Sequence, residues 1–167
     1  MNKYISLAKK AVENYIKNGK KISASKNFED KKAGVFVSIH TISGNLRGCV
    51  GTILPTKDNL AQEIISNAIA AATRDNRFEK VSKEELSDLK YKVDILTEPE
   101  PINSSSALEP KRYGVIVKTE DGRCGVLLPD LPDIDNPEIQ VGIVCEKAGI
   151  RSNEKKYLYR FEVKRFE

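Results

Sequence analysis

Two stretches of the sequence have the alternation expected of β-hairpins, and they restrict the fold more than any other feature. The first runs over residues 34–53 as "GVFVSIHTISGNLRGCVGTI", and the second over residues 113–129 as "YGVIVKTEDGRCGVLLP". In each, two strand-like segments flank a short turn that contains glycine, "SGN" in the first and Asp121-Gly122 in the second. A chain with two such hairpins is expected to contain a sheet with antiparallel pairs.

Helical segments flank the hairpins. Apolar residues recur at helical spacing near the N-terminus, in "DNLAQEIISNAIAAATRDNRF", and in "PEIQVGIVCEKAG", while "SKEE" (82–85) fits a capping box. Glycines at 19 and 149 are expected to end the first and last of these helices. The later helices are expected to start with Asp58 as an N-cap, at Ser82, and with Asn136 as an N-cap before Pro137.

Two further strands complete the predicted order. "YKVDIL" (91–96) and "KKYLYRFEVKRFE" (155–167) alternate as strands, whereas the prolines of "TEPEPI" (97–102) argue against pairing there. The polar stretch 17–34 has no periodicity and predicts a loop. The order of elements predicts an α+β protein with a mixed or antiparallel sheet and flanking helices.

Size and composition are those of one globular domain over residues 1–167. Hydrophobic residues make up 40% of the chain and charged residues 31%, and no apolar run approaches the ~20 residues that a membrane span requires. The N-terminal helix carries charges throughout and lacks the apolar core of a secretion signal. A cytoplasmic location without membrane contact is therefore expected.

The charge and the cysteines do not favour nucleic-acid or metal binding as the main function. The net charge of +4 comes from 28 basic and 24 acidic residues that are scattered along the chain, which permits an acidic partner but does not favour nucleic acid. Three widely spaced cysteines are typical of reduced thiols in a cytosol, and they lack the spacing of metal ligands. No phosphate loop, serine elbow or zinc-protease motif is present, so the sequence identifies no cofactor and predicts no metal site.

If the turn of the first hairpin has two residues, the strand register brings two potentially reactive side chains together. Counting from such a turn places Ile39 opposite Val50 and His40 opposite Cys49, where a thiol and an imidazole can touch. A three-residue turn would instead place Cys49 opposite Ile39 and bury it among aliphatic side chains. The two-residue turn keeps one face cleanly apolar and is the register we predict.

In this register, the segment "LRGCVG" is a candidate site. With His40 as neighbour, Cys49 would have a lowered pKa and serve as a nucleophile or redox thiol. Arg47 would attract a carboxylate or phosphate and favour the thiolate, while Gly48 and Gly51 suggest that a backbone or a ligand comes close. The alternative is that Cys49 is a buried small hydrophobe and His40 a hydrogen-bonded structural residue.

A second candidate cluster is "TRDNRF", residues 73–78. Arg74 and Arg77 flank Asp75, which is the arrangement of a fork that binds carboxylate or phosphate. The same residues can form an ion-pair network that fixes the end of the preceding helix, and the local sequence favours this structural role.

These motifs together resemble the AMMECR domain family, most closely its bacterial branch, the AmmeMemoRadiSam system protein A branch. The segments that carry the resemblance are "LRGCVGTILP", "NAIAAATRDNRF", "EEL", "YKVDILTEPEPI", "RYGVIVKTEDGRCGVLLPDL" and "EKAGI". The resemblance covers nearly the whole chain from Lys3 and maps the family signature onto Leu46, Arg47, Gly48, Cys49 and Gly51, with Arg74, Asp75, Arg77 and Phe78 as a second cluster.

The resemblance implies two unequal lobes with a cleft lined by "LRGCVG", and an association with a Memo-like protein and a radical SAM enzyme. It attaches no reaction to the chain. We therefore expect a small-molecule or protein-modifying component with a small-ligand cleft, in which Cys49 is a reactive or ligand-contacting thiol and the arginines hold a small anionic ligand. The alternative is a non-catalytic adaptor that binds a protein or nucleic acid.

Overall fold

The computed structural model describes residues 2–24, 28 and 31–167, so positions 25–27, 29 and 30 of the predicted loop lie outside the described residues. Three α-helices, eight strands and two short 3₁₀ turns alternate within the described part of the chain. The helices are α1 (Lys3–Asn18), α2 (Leu60–Thr73) and α3 (Pro137–Ala148). The strands are β1 (Val35–Thr41), β2 (Leu46–Thr52), β3 (Leu89–Leu96), β4 (Glu100–Ile102), β5 (Gly114–Lys118), β6 (Cys124–Leu127), β7 (Tyr157–Phe161) and β8 (Val163–Phe166). The α+β class is confirmed.

Local capping chemistry fixes the helix ends. The side chain of Asn136 accepts hydrogen bonds from the first turn of α3, and Gly149 ends that helix at a φ of 66°, as predicted. The predicted N-cap of α2, Asp58, is wrong by one residue. Asn59 caps this helix because its side chain accepts the N–H of Gln62 at 3.0 Å.

The chain divides into two compact units, Met1–Leu96 with Lys164–Glu167, and Thr97–Val163. In the first unit the sheet has the order β2-β1-β3-β8, and β1 is antiparallel to both β2 and β3. Val35, Val37 and Ile39 of β1 are fully buried beneath the helices. The predicted apolar face of α2 is confirmed, since every one of its members is buried: Leu60, Ile64, Ile65, Ala68, Ile69 and Ala72.

The predicted register of the first hairpin is wrong. Thr41 donates its N–H to the carbonyl of Asn45 at 2.8 Å, so the loop contains three residues and ends at Gly44, whose φ is 93°. A β-bulge then shifts the register, because His40 pairs with Leu46 while Ile39 pairs with Gly48. Cys49 consequently lies opposite Ser38, neither opposite His40 nor opposite Ile39.

The second unit contains a sheet of order β4-β7-β5-β6 with antiparallel pairs, and α3 packs on β5 and β6. The expectation that "TEPEPI" does not pair is wrong. Pro101 lies in β4 opposite Tyr159, and β4 is an edge strand, where a missing N–H is tolerated. The predicted terminal strand is two strands, since β7 belongs to this sheet and β8 to the sheet of the first unit.

Candidate functional site

The segment "LRGCVGT" forms β2, an edge strand whose two glycines make room for protein atoms. A Cβ on Gly48 would lie 2.2 Å from the carbonyl oxygen of Ala71, so the glycine lets the backbone of α2 approach the strand. A Cβ on Gly51 would lie 2.2 Å from the ring of Phe36. The space beside each glycine is thus filled from within the first unit.

A hydrogen bond from its backbone N–H holds Cys49 in place. Its N–H donates to Oδ2 of Asp75 at 2.8 Å. Because this N–H is bonded to Asp75 and not to β1, Cys49 and Ser38 form a non-hydrogen-bonded antiparallel pair, the type in which opposed side chains lie closer together. The half-buried thiol therefore lies beside Ser38, on a strand edge that Asp75 covers.

Asp75 is itself held by Arg77. Nε and Nη2 of Arg77 donate to the two carboxylate oxygens of Asp75 at 2.9 and 2.7 Å, and the N–H of Arg77 adds a third bond at 3.2 Å. These hydrogen bonds hold the pKa of Asp75 far below its usual range, against burial, which acts to raise it. Asp75 therefore remains a carboxylate throughout the physiological pH range.

Arg77 also acts on Cys49. The hydrogen bonds that Arg77 donates to Asp75 are the main cause of the raised pKa of Arg77, burial opposes them, and the charges of Asp75 and Cys49 contribute smaller increases. The charge of Cys49 and the guanidinium of Arg77 therefore interact electrostatically. Asp75, Arg77 and Cys49 thus form one electrostatic cluster, which we call the Cys49 cluster.

Arg47 is bound to a different carboxylate. Nε and Nη2 of Arg47 donate to Glu85 at 2.6 and 3.2 Å, and Nη1 donates to the carbonyl of Glu79 at 2.8 Å. The bonds from Arg47 lower the pKa of Glu85. Glu85 also accepts the N–H of Ser82 at 2.7 Å, which is one half of the predicted capping box. Arg47 therefore fastens β2 to the 3₁₀ turn at Glu84–Asp88.

The remaining predicted site residues lie elsewhere. His40 is paired with Leu46 beyond the bulge, so the structure does not assemble the predicted pair of His40 and Cys49 across the hairpin. Arg74 is exposed at the end of α2 and lines a separate cavity of about 380 Å³ with Lys80 and Lys83. The three charged residues of "TRDNRF" therefore divide between the ion pair of Asp75 with Arg77 and the exposed cation Arg74.

A buried polar network at the end of β2 is missing from the sequence-based prediction. The carboxylate of Glu63, only 1% exposed, accepts hydrogen bonds from Thr52 Oγ1 at 2.7 Å and from the N–H groups of Thr56 and Lys57 at 2.7 and 2.8 Å. Asn67 donates to the carbonyl of Val35 at 3.0 Å. The signal in the sequence is that Glu63 and Asn67 lie four residues apart on the otherwise apolar face of α2.

Among the described residues, no three side chains of His, Cys, Asp or Glu are grouped so that they could hold a metal ion. None of the helices in that same part of the chain has the length and apolar character needed to cross a membrane.

Comparisons with known proteins agree on the fold. The sequence model of the AMMECR1 family matches residues 5–166. A protein of Thermotoga maritima is 47% identical over 169 residues, which cover 98% of this chain and 97% of that protein. Protein CA_C1420 of Clostridium acetobutylicum is 43% identical over 97% of this chain, which corresponds to 35% of that longer protein. The crystal structure of the uncharacterised protein PH0010 from Pyrococcus horikoshii superimposes with a TM-score of 0.88 at 31% identity, over 97% of this chain and 88% of that one.

Proposed function

Because this chain belongs to the AMMECR1 family, we propose a function for the "LRGCVG" segment that carries its family resemblance. Cys49 supplies a thiol that attacks, or directly contacts, a small molecule or a protein side chain. The chain takes this step in concert with a radical SAM enzyme and a Memo-like protein, the partners that the resemblance implies. The proposed setting is the cytoplasm, where cysteines persist as thiols.

The observation that carries this proposal is the Cys49 cluster. A thiol becomes a nucleophile when it loses its proton, and a neighbouring cation favours that loss. Arg77 provides the cation, and its interaction with Cys49 is among the causes of its own raised pKa. Asp75 connects these two residues, because its carboxylate accepts hydrogen bonds from the guanidinium of Arg77 and from the backbone N–H of Cys49. The backbone of Cys49 and the guanidinium of Arg77 are therefore held by the same carboxylate.

Within this cluster, the guanidinium of Arg77 is the group that a small anionic ligand can reach. The side chain of Arg77 is 55% exposed while bonded to Asp75, whereas that of Arg47 is 15% exposed and bonded to Glu85. An anion that approaches Arg77 can share its outer face without displacing Asp75. Arg77 is accordingly the residue we assign to anion recognition, and Arg47 to fixing the strand.

The length of one relative supports the proposal that the chain acts with a partner protein. Protein CA_C1420 of Clostridium acetobutylicum devotes only 35% of its length to the region that matches this chain. In that protein the domain is covalently joined to further sequence. A domain that makes up 97% of the Thermotoga maritima protein but 35% of the Clostridium acetobutylicum protein is expected to act next to another protein.

The rate of alkylation by iodoacetamide near neutral pH tests the reactive thiol. Cys124 is exposed and Cys145 is buried, so they provide internal references for accessibility. We expect Cys49, although half-buried, to react faster than Cys124. Arg77→Gln should slow the reaction of Cys49 about tenfold and leave that of Cys124 unchanged, whereas Arg77→Lys should preserve most of the rate because it keeps the charge.

Arg47→Gln is the matched control, since it also removes one guanidinium from the neighbourhood of β2 but breaks a different ion pair. A rate at Cys49 no higher than the rates at Cys124 and Cys145 would overturn the proposal and favour a non-catalytic adaptor. In an assay with purified radical SAM and Memo-like partners, Cys49→Ser should abolish product formation with a melting temperature within a few degrees of wild type. A parallel loss of stability would make Cys49 a packing residue.

A further inference from the structure

The cavity of about 380 Å³ beside Arg74 lies in the first unit and takes no part in the proposed function. Three segments form its walls, which are residues 15–16 near the end of α1, residues 73–74 at the end of α2, and residues 80–83 before the 3₁₀ turn. The volume falls near the lower end of the range of about 300–1,000 Å³ that is typical of sites for small molecules. A compact ligand therefore fits it best.

A buried valine holds the third of these segments against the end of α2. Val81 is only 4% exposed, and its N–H donates to the carbonyl of Ala72 at 2.9 Å. Lys80 and Lys83, on either side of this anchor, are both exposed. The packing of one apolar residue thus brings two lysines to the same cavity as Arg74, on a segment that is bonded to the helix.

The wall of this cavity carries three positive charges. Arg74, Lys80 and Lys83 line it, and no aspartate or glutamate of the described residues does so. The acidic residues that flank the third segment, Glu79 and Glu84, are both outside the lining. Within the part of the chain that the structure describes, none of the three cations forms an ion pair with a carboxylate.

An arginine without a carboxylate is unusual in this protein. Six of its eight arginines are paired with a carboxylate, and they are Arg47, Arg77, Arg112, Arg123, Arg160 and Arg165. Among the described residues, Arg74 and Arg151 have no such partner. Cations that converge on one cavity without a counter-charge repel one another, so the cavity around Arg74 favours an anion.

The end of α2 opposes an anion less than an open helix end would. The last carbonyls of a helix carry partial negative charge when no donor reaches them. In α2, the carbonyl of Ala70 accepts the N–H of Arg74 at 2.7 Å. The carbonyl of Ala72 accepts the N–H of Val81. Because these carbonyls already have donors, the three cations determine the charge of the cavity.

The number of cations indicates the class of ligand. One guanidinium matches a carboxylate, whereas three cations match a group with a charge near −2 and several acceptor oxygens, as in a phosphomonoester. The hydroxyl of Ser82, which also lines the cavity, can donate to a phosphate oxygen. Tyr15 and Ile16 are half-buried and supply apolar surface in the same cavity.

We propose that this cavity binds a small phosphomonoester. Its phosphate contacts Arg74, Lys80 and Lys83, and its apolar body packs on Tyr15 and Ile16. The site uses no residue of the Cys49 cluster, so the alkylation of that thiol and binding here are separate properties of the chain.

The test uses phenyl phosphate as the probe and phenyl sulfate, which has nearly the same shape but one negative charge, as its counterpart. At about pH 8 the phosphate is a dianion, and we expect it to bind saturably and at least about tenfold more tightly than the sulfate. Amide shifts in nuclear magnetic resonance spectra should change at residues 15–16 and 80–83 more than at residues 47–49. Shifts centred on residues 47–49 and 75–78 would place the anion at the Cys49 cluster and overturn the proposal, as would the lack of saturable binding.

Arg74→Gln and Lys83→Gln each remove one cation from the cavity. Each should weaken binding of phenyl phosphate about three- to tenfold. Without probe, each should leave the melting temperature unchanged or raise it, because the variant loses no ion pair and relieves repulsion between like charges. Arg151→Gln is the matched control, since Arg151 is an exposed arginine of the second unit and its loss makes the same change in net charge. If Arg151→Gln weakens binding as much as Arg74→Gln does, the probe responds only to net charge and the assignment of the site fails.

An oligonucleotide distinguishes a phosphomonoester site from a surface for nucleic acid. An oligothymidine of about ten nucleotides, without a terminal phosphate, carries phosphodiesters of one charge each and needs a wider basic surface. We expect it to bind more weakly than phenyl phosphate at about 150 mM salt. Equal or tighter binding of the oligonucleotide, with a steep loss of affinity as salt is added, would overturn the proposal in favour of nucleic acid.

Discussion

The carboxylate of Asp75 accepts the backbone N–H of Cys49 across a sequence separation of 26 residues, at 2.8 Å. This bond joins the edge of β2 to the turn that follows α2. It also satisfies an N–H that an edge strand otherwise leaves open to pairing with another chain. The position of the thiol and the protection of the strand edge therefore depend on the same carboxylate.

Replacement of Asp75 is expected to destabilise the first unit. Asp75→Ala leaves the N–H of Cys49 and the guanidinium of Arg77 without their acceptor, and we expect a loss of roughly 1–3 kcal/mol in the free energy of unfolding. Asp75→Asn keeps an oxygen that can accept from Cys49 and should lose less. Urea denaturation measures both. Asp135→Ala, which removes an exposed carboxylate, is the control and should change stability by less than about 0.5 kcal/mol. Equal losses for alanine at 75 and at 135 would contradict the role of Asp75.

Gly48 is expected to reject even the smallest side chain. A Cβ there would lie 2.2 Å from a backbone oxygen of Ala71, so α2 or β2 must move to admit it. We expect Gly48→Ala to cost about 1–3 kcal/mol of unfolding free energy. Gly142→Ala is a matched control, because Gly142 lies within α3 and a Cβ there would meet no atom within 4 Å. That variant should gain about 0.5–1 kcal/mol. If Gly48→Ala leaves the free energy of unfolding unchanged, the contact between β2 and α2 is not tight.

These positions show what the sequence could and could not predict. The helix ends at Gly19 and Gly149 and the buried face of α2 follow from residues that are neighbours along the chain, and they were predicted. The hairpin register was not, because the three-residue loop and the bulge after Ile39 depend on backbone geometry that spacing does not encode.

The partners of the candidate site residues were harder still to predict. Arg47 and Glu85 are 38 residues apart, and nothing in either local segment selects the other. The sequence identified "LRGCVG" and "TRDNRF" as separate clusters, whereas the structure joins them through Asp75. The sequence also indicated two reasons for a glycine at position 48, either a close backbone or a close ligand. The structure shows that the close group is the backbone of Ala71.

The buried carboxylate of Glu63 predicts a loss of stability in acid. Four hydrogen bonds lower the pKa of Glu63, and together they exceed the effect of burial, which is the largest single cause and acts to raise it. A group whose pKa is lower in the folded state stabilises the fold above its unfolded pKa of about 4.5 and loses that contribution as the pH falls through the folded value.

The comparison of wild type with Glu63→Gln isolates this contribution. Near pH 7 the variant should be less stable by roughly 1–3 kcal/mol, because an amide cannot accept all the hydrogen bonds of the carboxylate. The difference should shrink as the pH is lowered from 6 to 3, as measured by urea denaturation at each pH. A difference that stays constant over this range would mean that Glu63 does not titrate below its ordinary pKa.

The pair of Arg47 and Glu85 is expected to be strongly coupled, unlike an exposed pair of the same charges. The side chain of Arg47 is 15% exposed, and its planar guanidinium makes two bonds to Glu85 and one to the carbonyl of Glu79, which a lysine cannot reproduce. A double-mutant cycle with Arg47→Met and Glu85→Gln should give a coupling energy of about 1–2 kcal/mol in unfolding free energy. The same cycle on Lys155 and Glu120, whose side chains are 71% and 64% exposed, should give less than about 0.5 kcal/mol. If the two cycles agree, Arg47 is not committed to Glu85, and its guanidinium becomes available for the anion that we assign to Arg77.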